Sequence, residues 1–150
     1  RELSACRAAA DRHVAVCAAV SSGDATAAIP EGFGNGAKPG QPGGKGYSNG
    51  YAWEKPLEQL VFHRSIWPIV LELTNGKPML ASGTLMVDDP NGHTEVVPLH
   101  CAREDYGFES VRYEVRQGRI YSDDFVVFPY LDDVHPGDGG LLVVPGSHKS

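Results

Sequence analysis

The chain has 150 residues, a common size for one domain, and its 41% hydrophobic and 21% charged residues are typical of globular proteins. Its formal net charge is -6 and no cluster of lysines and arginines offsets it, which excludes nucleic acid as a partner. The longest apolar stretches, such as residues 125–131, are far shorter than the roughly 20 residues of a membrane-spanning helix, so we expect no membrane association.

Three cysteines bear on the cellular compartment. Cys6, Cys17 and Cys101 are odd in number and show no Cys-x-x-Cys spacing, so the sequence predicts neither a disulfide framework nor a cysteine-based zinc site. This pattern favours the cytoplasm or another reducing intracellular compartment.

The first 52 residues divide by composition. Residues 2–20 are rich in alanine and valine with few helix breakers, which predicts a helical N-terminal segment over residues 1–22. Residues 23–52 are rich in glycine and proline and are predicted to form a loop or linker. A third region, residues 53–150, carries the remaining elements.

In that third region the hydrophobic period changes from helical to strand-like. Pro56 opens an amphipathic helix interrupted near Pro68, and Asn75-Gly76 supplies a stop. The strands predicted after it cover residues 78–87, 95–99, 110–116, 119–121, 125–131 and 141–144, with a turn at Gln117-Gly118. This order predicts an α+β fold, mainly β in its second half, in which helices brace a sandwich or a jelly roll.

The most distinctive segment is residues 131–149. A strand ends at Leu131-Asp132-Asp133, a turn follows at Gly139-Gly140-Leu141, and the segment closes on Pro145-Gly146-Ser147-His148-Lys149. Its prolines and glycines supply the tight and positive-φ positions of successive turns. The segment resembles the corresponding run of the phytanoyl-CoA dioxygenase family of iron(II)/2-oxoglutarate oxygenases.

The resemblance implies a fold and an activity. Residues 53–150 would form an incomplete double-stranded β-helix, a jelly-roll or cupin-like barrel, with the N-terminal helices packed on it. The activity would be that of a non-haem dioxygenase that uses Fe(II), 2-oxoglutarate and O2 to hydroxylate a small organic substrate. His148 would belong to the structural corner of the barrel.

The resemblance also implies site residues. The first iron ligand of the family matches His100, which follows a predicted strand. The family has an aspartate two residues later, where this chain has Ala102. Asp105 is the substitute carboxylate that we assign to the metal, and Tyr113 is assigned to 2-oxoglutarate.

Three interpretations of Ala102 remain open. Glu104 or Asp105 could coordinate the iron and preserve a hydroxylase. Chloride could take the vacant position, as in iron/2-oxoglutarate halogenases, which are similar in placing alanine or glycine there. Alternatively, the domain is a degenerate, metal-free jelly roll with a binding or structural role.

The resemblance places the second histidine ligand and the arginine that binds 2-oxoglutarate beyond residue 150. We therefore expect the chain to be an N-terminal or central piece of a longer protein, inactive by itself. A chain that begins within a helix without a capping residue and ends on a turn motif fits that expectation.

Overall fold

A computed structural model describes residues 1–34, 36, 45–87, 99, 113–122, 124–138 and 140–147. Its helices and strands, in chain order, are α1 (Glu2–Ser21), β1 (Lys45–Ser48), a 3-10 turn (Gly50–Ala52), α2 (Lys55–Leu60), α3 (Trp67–Leu73), β2 (Thr84–Val87), β3 (Tyr113–Arg116) and β4 (Arg119–Ser122). Within the described ranges, no helix has both the length and the apolar content needed to cross a membrane.

The chain divides into two compact units. The first comprises the described residues of Arg1–His63, Leu80–Glu95 and Tyr130–Gly139. The second comprises those of Arg64–Met79, Val96–Pro129 and Gly140–Ser150.

In the first unit, α1 confirms the predicted N-terminal helix. It ends where the backbone N–H of Ser22 bonds to the carbonyls of Ala18 and Ala19, and Gly23 follows with a φ of 85°. One face of α1 is buried, and its residues recur at steps of three and four, as a packed helix requires. These residues are Cys6, Ala9, Ala10, His13 and Cys17.

Small side chains on that face let α2 approach α1. Leu57 of α2 forms a buried core with Cys6 and Ala9, and Trp53, Leu60 and Leu131 pack around it at partial burial. Pro56 lies in the first turn of α2, where its missing N–H has no helical partner to lose. The Cys6 thiol donates to the Pro56 carbonyl at 3.3 Å.

An antiparallel pair of strands completes the first unit. Lys45 pairs with Val87 and Ser48 with Thr84, while the N–H of Asn49 donates to the Gly83 carbonyl at 2.7 Å. Residues 45–48 fall within the stretch predicted to be a loop or linker, and there the structure differs from that expectation. The physical reason is the partner strand β2, which lies almost forty residues later in the sequence.

The second unit contains α3 and a hairpin. Pro68 lies in the first turn of α3, and Asn75 and Gly76 end the helix with φ of 52° and 76°, as predicted. Strands β3 and β4 pair in register through Gln117 and Gly118, both at positive φ, as a two-residue hairpin turn requires. The predicted hairpin is confirmed, and α3 lies against β4.

The described residues 124–138 and 140–147 contain no strand, so the strands predicted at 125–131 and 141–144 are not formed there. The turns predicted at Pro136-Gly137 and Pro145-Gly146 are present, and Gly139 of the third predicted turn lies outside the described residues. Gly137, Gly140 and Gly146 have φ of 99°, 128° and 86°, and the N–H of Ser147 donates to the Val144 carbonyl at 3.1 Å. The jelly-roll barrel stays a prediction.

Candidate functional site

Most of the predicted iron site falls outside the described residues. His100 and Asp105 lie there, as do Ala102 and Glu104, the other residues on which the ligand set depends. Across the part of the chain that the structure describes, no group of three or more histidine, cysteine, aspartate or glutamate side chains could hold a metal ion. The assignments of His100 and Asp105 stay predictions.

Tyr113, the residue assigned to 2-oxoglutarate, is described. It is the first residue of β3, pairs with Ser122 of β4 and is half-buried. Its two partners in the predicted site are outside the described residues, so its role in binding 2-oxoglutarate also stays a prediction.

Hydrogen bonds and an ion pair hold the first part of the 131–149 segment, whereas His148, predicted to lie in the structural corner, is outside the described residues. Arg7 of α1 donates through Nε to the Leu131 carbonyl at 2.6 Å, and the same nitrogen lies 2.9 Å from Asp132 Oδ1. The N–H of His135 donates to the Asp138 carboxylate at 2.9 Å, and the N–H of Asp138 donates back to the His135 carbonyl at 3.0 Å. These contacts stabilise a tight turn.

The structure brings together a different set of aromatic and titratable side chains. We call it the His13 cluster, and its members are His13, Cys17, Phe33, Tyr47 and Trp53. The imidazole of His13 is 0% exposed and stacks on the indole of Trp53, with ring centres 3.9 Å apart and planes 4° from parallel. Tyr47 lies tilted against it at 5.1 Å, and Phe33 meets it edge-on at 6.1 Å.

Local structure holds each ring of the His13 cluster in place. The 33–34 loop is bound to β1, because the N–H of Gly34 donates to the Ser48 carbonyl at 2.9 Å and the Asn49 amide donates to the Gly32 carbonyl at 2.6 Å. Gly36 has a φ of 69°, and a side chain there would collide with the Tyr47 ring. Glycine is therefore required beside Tyr47.

Neither ring nitrogen of His13 has a hydrogen-bond partner among the described residues. Burial lowers the pKa of His13, and the Gly34 carbonyl opposes that shift. A cation–π contact with Trp53 would favour the protonated ring by about 2 kcal/mol. An unpaired buried charge costs several kcal/mol, so burial outweighs that contact and favours the neutral imidazole more than it is favoured in an exposed histidine.

The neighbouring titratable groups are neutral as well. Burial raises the pKa of the Cys17 thiol, which donates to the Gly34 carbonyl at 3.8 Å. Burial also raises the pKa of Tyr47, and the nearby Cys17 adds to that shift. A described ion pair is formed by the sequence neighbours of His13 and Trp53, where Arg12 donates to both carboxylate oxygens of Glu54, at 2.7 and 2.6 Å.

Reasoning from the sequence missed the His13 cluster. The apolar residues of α1 do not form one clean stripe, because the buried face consists of small side chains and a histidine. The signal that could have found it is the spacing of His13 and Cys17, four residues apart and so on one helical face. The aromatic partners come from a glycine-rich stretch whose packing is set by tertiary contacts.

A fully buried imidazole without polar partners is suited to packing and to sensing protons, and it has no access to a substrate. The His13 cluster is therefore a structural site, and a catalytic role depends on residues 131–149.

The chain matches no protein-family model, no curated protein and no solved structure.

Proposed function

We propose that the chain is part of a non-haem iron(II)/2-oxoglutarate-dependent dioxygenase of the phytanoyl-CoA dioxygenase type, which hydroxylates a small organic substrate. The observation that carries the proposal is the run of residues 131–149, with its Gly-Gly-Leu turn and its Pro-Gly-Ser-His-Lys corner. The positive φ of Gly137, Gly140 and Gly146 supports it, because turns are expected at these positions.

In this proposal His100 and Asp105 hold the iron and Tyr113 binds 2-oxoglutarate. The metal, when bound with that co-substrate, supplies the dioxygen chemistry, and the chain supplies orientation and shielding from water. Two histidines and one carboxylate are the usual ligand set of such sites. The second histidine and the arginine that pairs with 2-oxoglutarate would come from residues beyond 150.

We also propose that the protein works in a reducing cellular compartment. Cys6 and Cys17 are both free and both buried. Free thiols fit a protein that works in the cytoplasm or another reducing intracellular compartment.

The test is an anaerobic titration of the intact protein with Fe(II) in the presence of 2-oxoglutarate, followed through the metal-to-ligand charge-transfer band in visible light. We expect a saturable band that His100→Ala removes. The matched control is His135→Ala, which should keep the band, because His135 lies in an exposed turn held by its backbone N–H. If iron produces no band with the unaltered protein, the domain is a metal-free jelly roll with a binding or structural role.

Ala102 makes the carboxylate the weakest part of the ligand set, and the same titration separates the alternatives. If Asp105 coordinates, Asp105→Asn weakens iron binding while chloride has no effect. If the site is halogenase-like, chloride shifts the band and Asp105→Asn leaves it unchanged. Ala102→Asp should strengthen iron binding in either case, because it restores the missing carboxylate.

A further inference from the structure

His13 differs from the other polar side chains of α1 in its surroundings. Its ring is parallel to the Trp53 indole, so its two nitrogens point sideways, along the interface between α1 and the aromatic residues. Both nitrogens lack a hydrogen-bond partner within the described part of the chain. Burial of unpaired polar atoms is uncommon in folded proteins and calls for a physical reason.

We propose that His13 is an acid-sensitive latch: the neutral ring holds α1 against Phe33, Tyr47 and Trp53, and protonation releases the helix. The proposal depends on the geometry of the His13 cluster and is independent of the iron chemistry. A charged imidazole in this position would need a counter-charge or water, and the packed rings supply neither. The Gly34 carbonyl is close enough to favour the charged ring, although neither ring nitrogen makes a hydrogen bond of good geometry with a described residue, and burial is the larger effect.

The groups that face His13 from each packed element are uncharged. Its own helix contributes Cys17, the 33–34 loop contributes Phe33 and the Gly34 carbonyl, and β1 contributes Tyr47. Trp53 is followed by Glu54, but both oxygens of that carboxylate accept from Arg12. No described acidic group is therefore left to balance a proton on His13.

The other attachments of α1 do not respond to acid in the same range. The Cys6 thiol bonds to a backbone carbonyl, and the pKa of Cys6 is raised by burial, so the thiol stays protonated as the pH falls. Arg12 lowers the pKa of Glu54 through their hydrogen bond, which keeps that ion pair intact in weak acid.

The pH window follows from the direction of the shift. An exposed histidine has a pKa near 6.5, and the pKa of the buried ring is lower. Above pH 6.5 both the docked and the released states are neutral, and the stabilisation by His13 is fully present. As the pH falls towards the lowered pKa, the released state gains a proton that the docked state lacks, so release increases by up to about tenfold per pH unit.

The test is amide hydrogen exchange of the whole chain between pH 7.5 and pH 5, corrected for the intrinsic pH dependence of exchange. We expect exchange in α1 to accelerate by up to about thirtyfold between pH 7.5 and 5. The β3–β4 hairpin is the internal reference and should not accelerate. His13→Phe, which keeps an aromatic ring on Trp53 and cannot titrate, should abolish the acceleration, while His135→Gln should retain it.

A direct titration of the unaltered protein keeps the proposal testable if His13→Phe does not fold. The ring proton of His13, followed by NMR, should show a pKa below 6.5. A pKa at or above 6.5 overturns the proposal, as does an acceleration of α1 exchange that persists in His13→Phe. Loss of the iron signal in the preceding titration would leave the latch unaffected.

Discussion

The His13 cluster and residues 124–147 differ in how distinctive their sequences are and in how well they are packed. The His13 cluster has an ordinary sequence and a well-packed structure, in which a helix, a loop and a strand enclose one imidazole. Residues 124–147 have a distinctive sequence, with well-defined turns and largely exposed apolar side chains. The difference shows that the turns of a segment can be inferred from its local sequence, whereas the packing of a cluster depends on residues that no motif marks.

The largest expected difference in stability is between a leucine of the buried core and a leucine of the exposed apolar residues 141–144. Leu57→Ala removes a side chain that is 3% exposed and should lower the free energy of unfolding by about 3 kcal/mol. The matched change Leu142→Ala affects a side chain that is 72% exposed and should cost less than about 0.5 kcal/mol. Urea unfolding of both variants measures the difference.

An equal loss in the two leucine variants would contradict the comparison. It would mean that residues 141–144 are packed in solution, as a strand of the proposed barrel would be. Residues 141–144 would then form a strand of a closed barrel and would not be exposed.

An intermediate effect is expected at two glycines that share a positive φ. Gly36→Ala should lower the free energy of unfolding by about 3 kcal/mol, because the new methyl group collides with the buried Tyr47 ring in addition to straining the backbone. Gly146→Ala should cost about 1 kcal/mol, because nothing lies within 4 Å of the added carbon and only the strain remains. Thermal unfolding compares them, and a larger loss for Gly146→Ala would show a neighbour that the structure lacks.

The smallest effect concerns exposed ion pairs. The hydrogen bond from Arg12 lowers the pKa of Glu54 from its usual 4.5. The resulting stabilisation is present above that pH and is lost as the pH falls through the lowered pKa. Glu54→Gln should therefore flatten the decline in stability between pH 4.5 and 3, by a small amount because exposed pairs are weak.

In the terminal region the matching change is Asp132→Asn, at a pair whose side chains are 43% and 80% exposed. We expect it to lower the stability at pH 7 less than Glu54→Gln does, because a single contact holds that pair whereas two bonds join Arg12 to Glu54. Urea unfolding of both variants at pH 7 provides the check. A larger change for Asp132→Asn would reverse the ranking of the two regions.

Local sequence signals predicted the elements that depend on local physics. Helix α1 follows from residue propensities, the end of α3 from Asn75-Gly76, and the β3–β4 hairpin from Gln117-Gly118. Each needs only neighbouring residues, so each could be inferred without knowledge of the rest of the fold.

Elements that depend on distant partners escaped prediction. Strand β1 lies in a glycine-rich stretch and exists because β2 pairs with it. The strands predicted at 125–131 and 141–144 have suitable side chains, but a strand also needs a neighbour to bond its backbone, and sequence does not show whether one is present. The burial of His13 was not predicted for the same reason, since its aromatic partners lie 20 to 40 residues away in the sequence.

In the proposed function catalysis belongs to the His100 region, whereas the His13 cluster serves packing. Iron-dependent decarboxylation of 2-oxoglutarate by the intact protein at pH 7.5 tests it most directly, with His100→Ala and His13→Phe compared against the unaltered chain. The account predicts that the unaltered protein and His13→Phe release carbon dioxide and that His100→Ala does not. Full activity of His100→Ala, or no iron-dependent release by the unaltered protein, would contradict it.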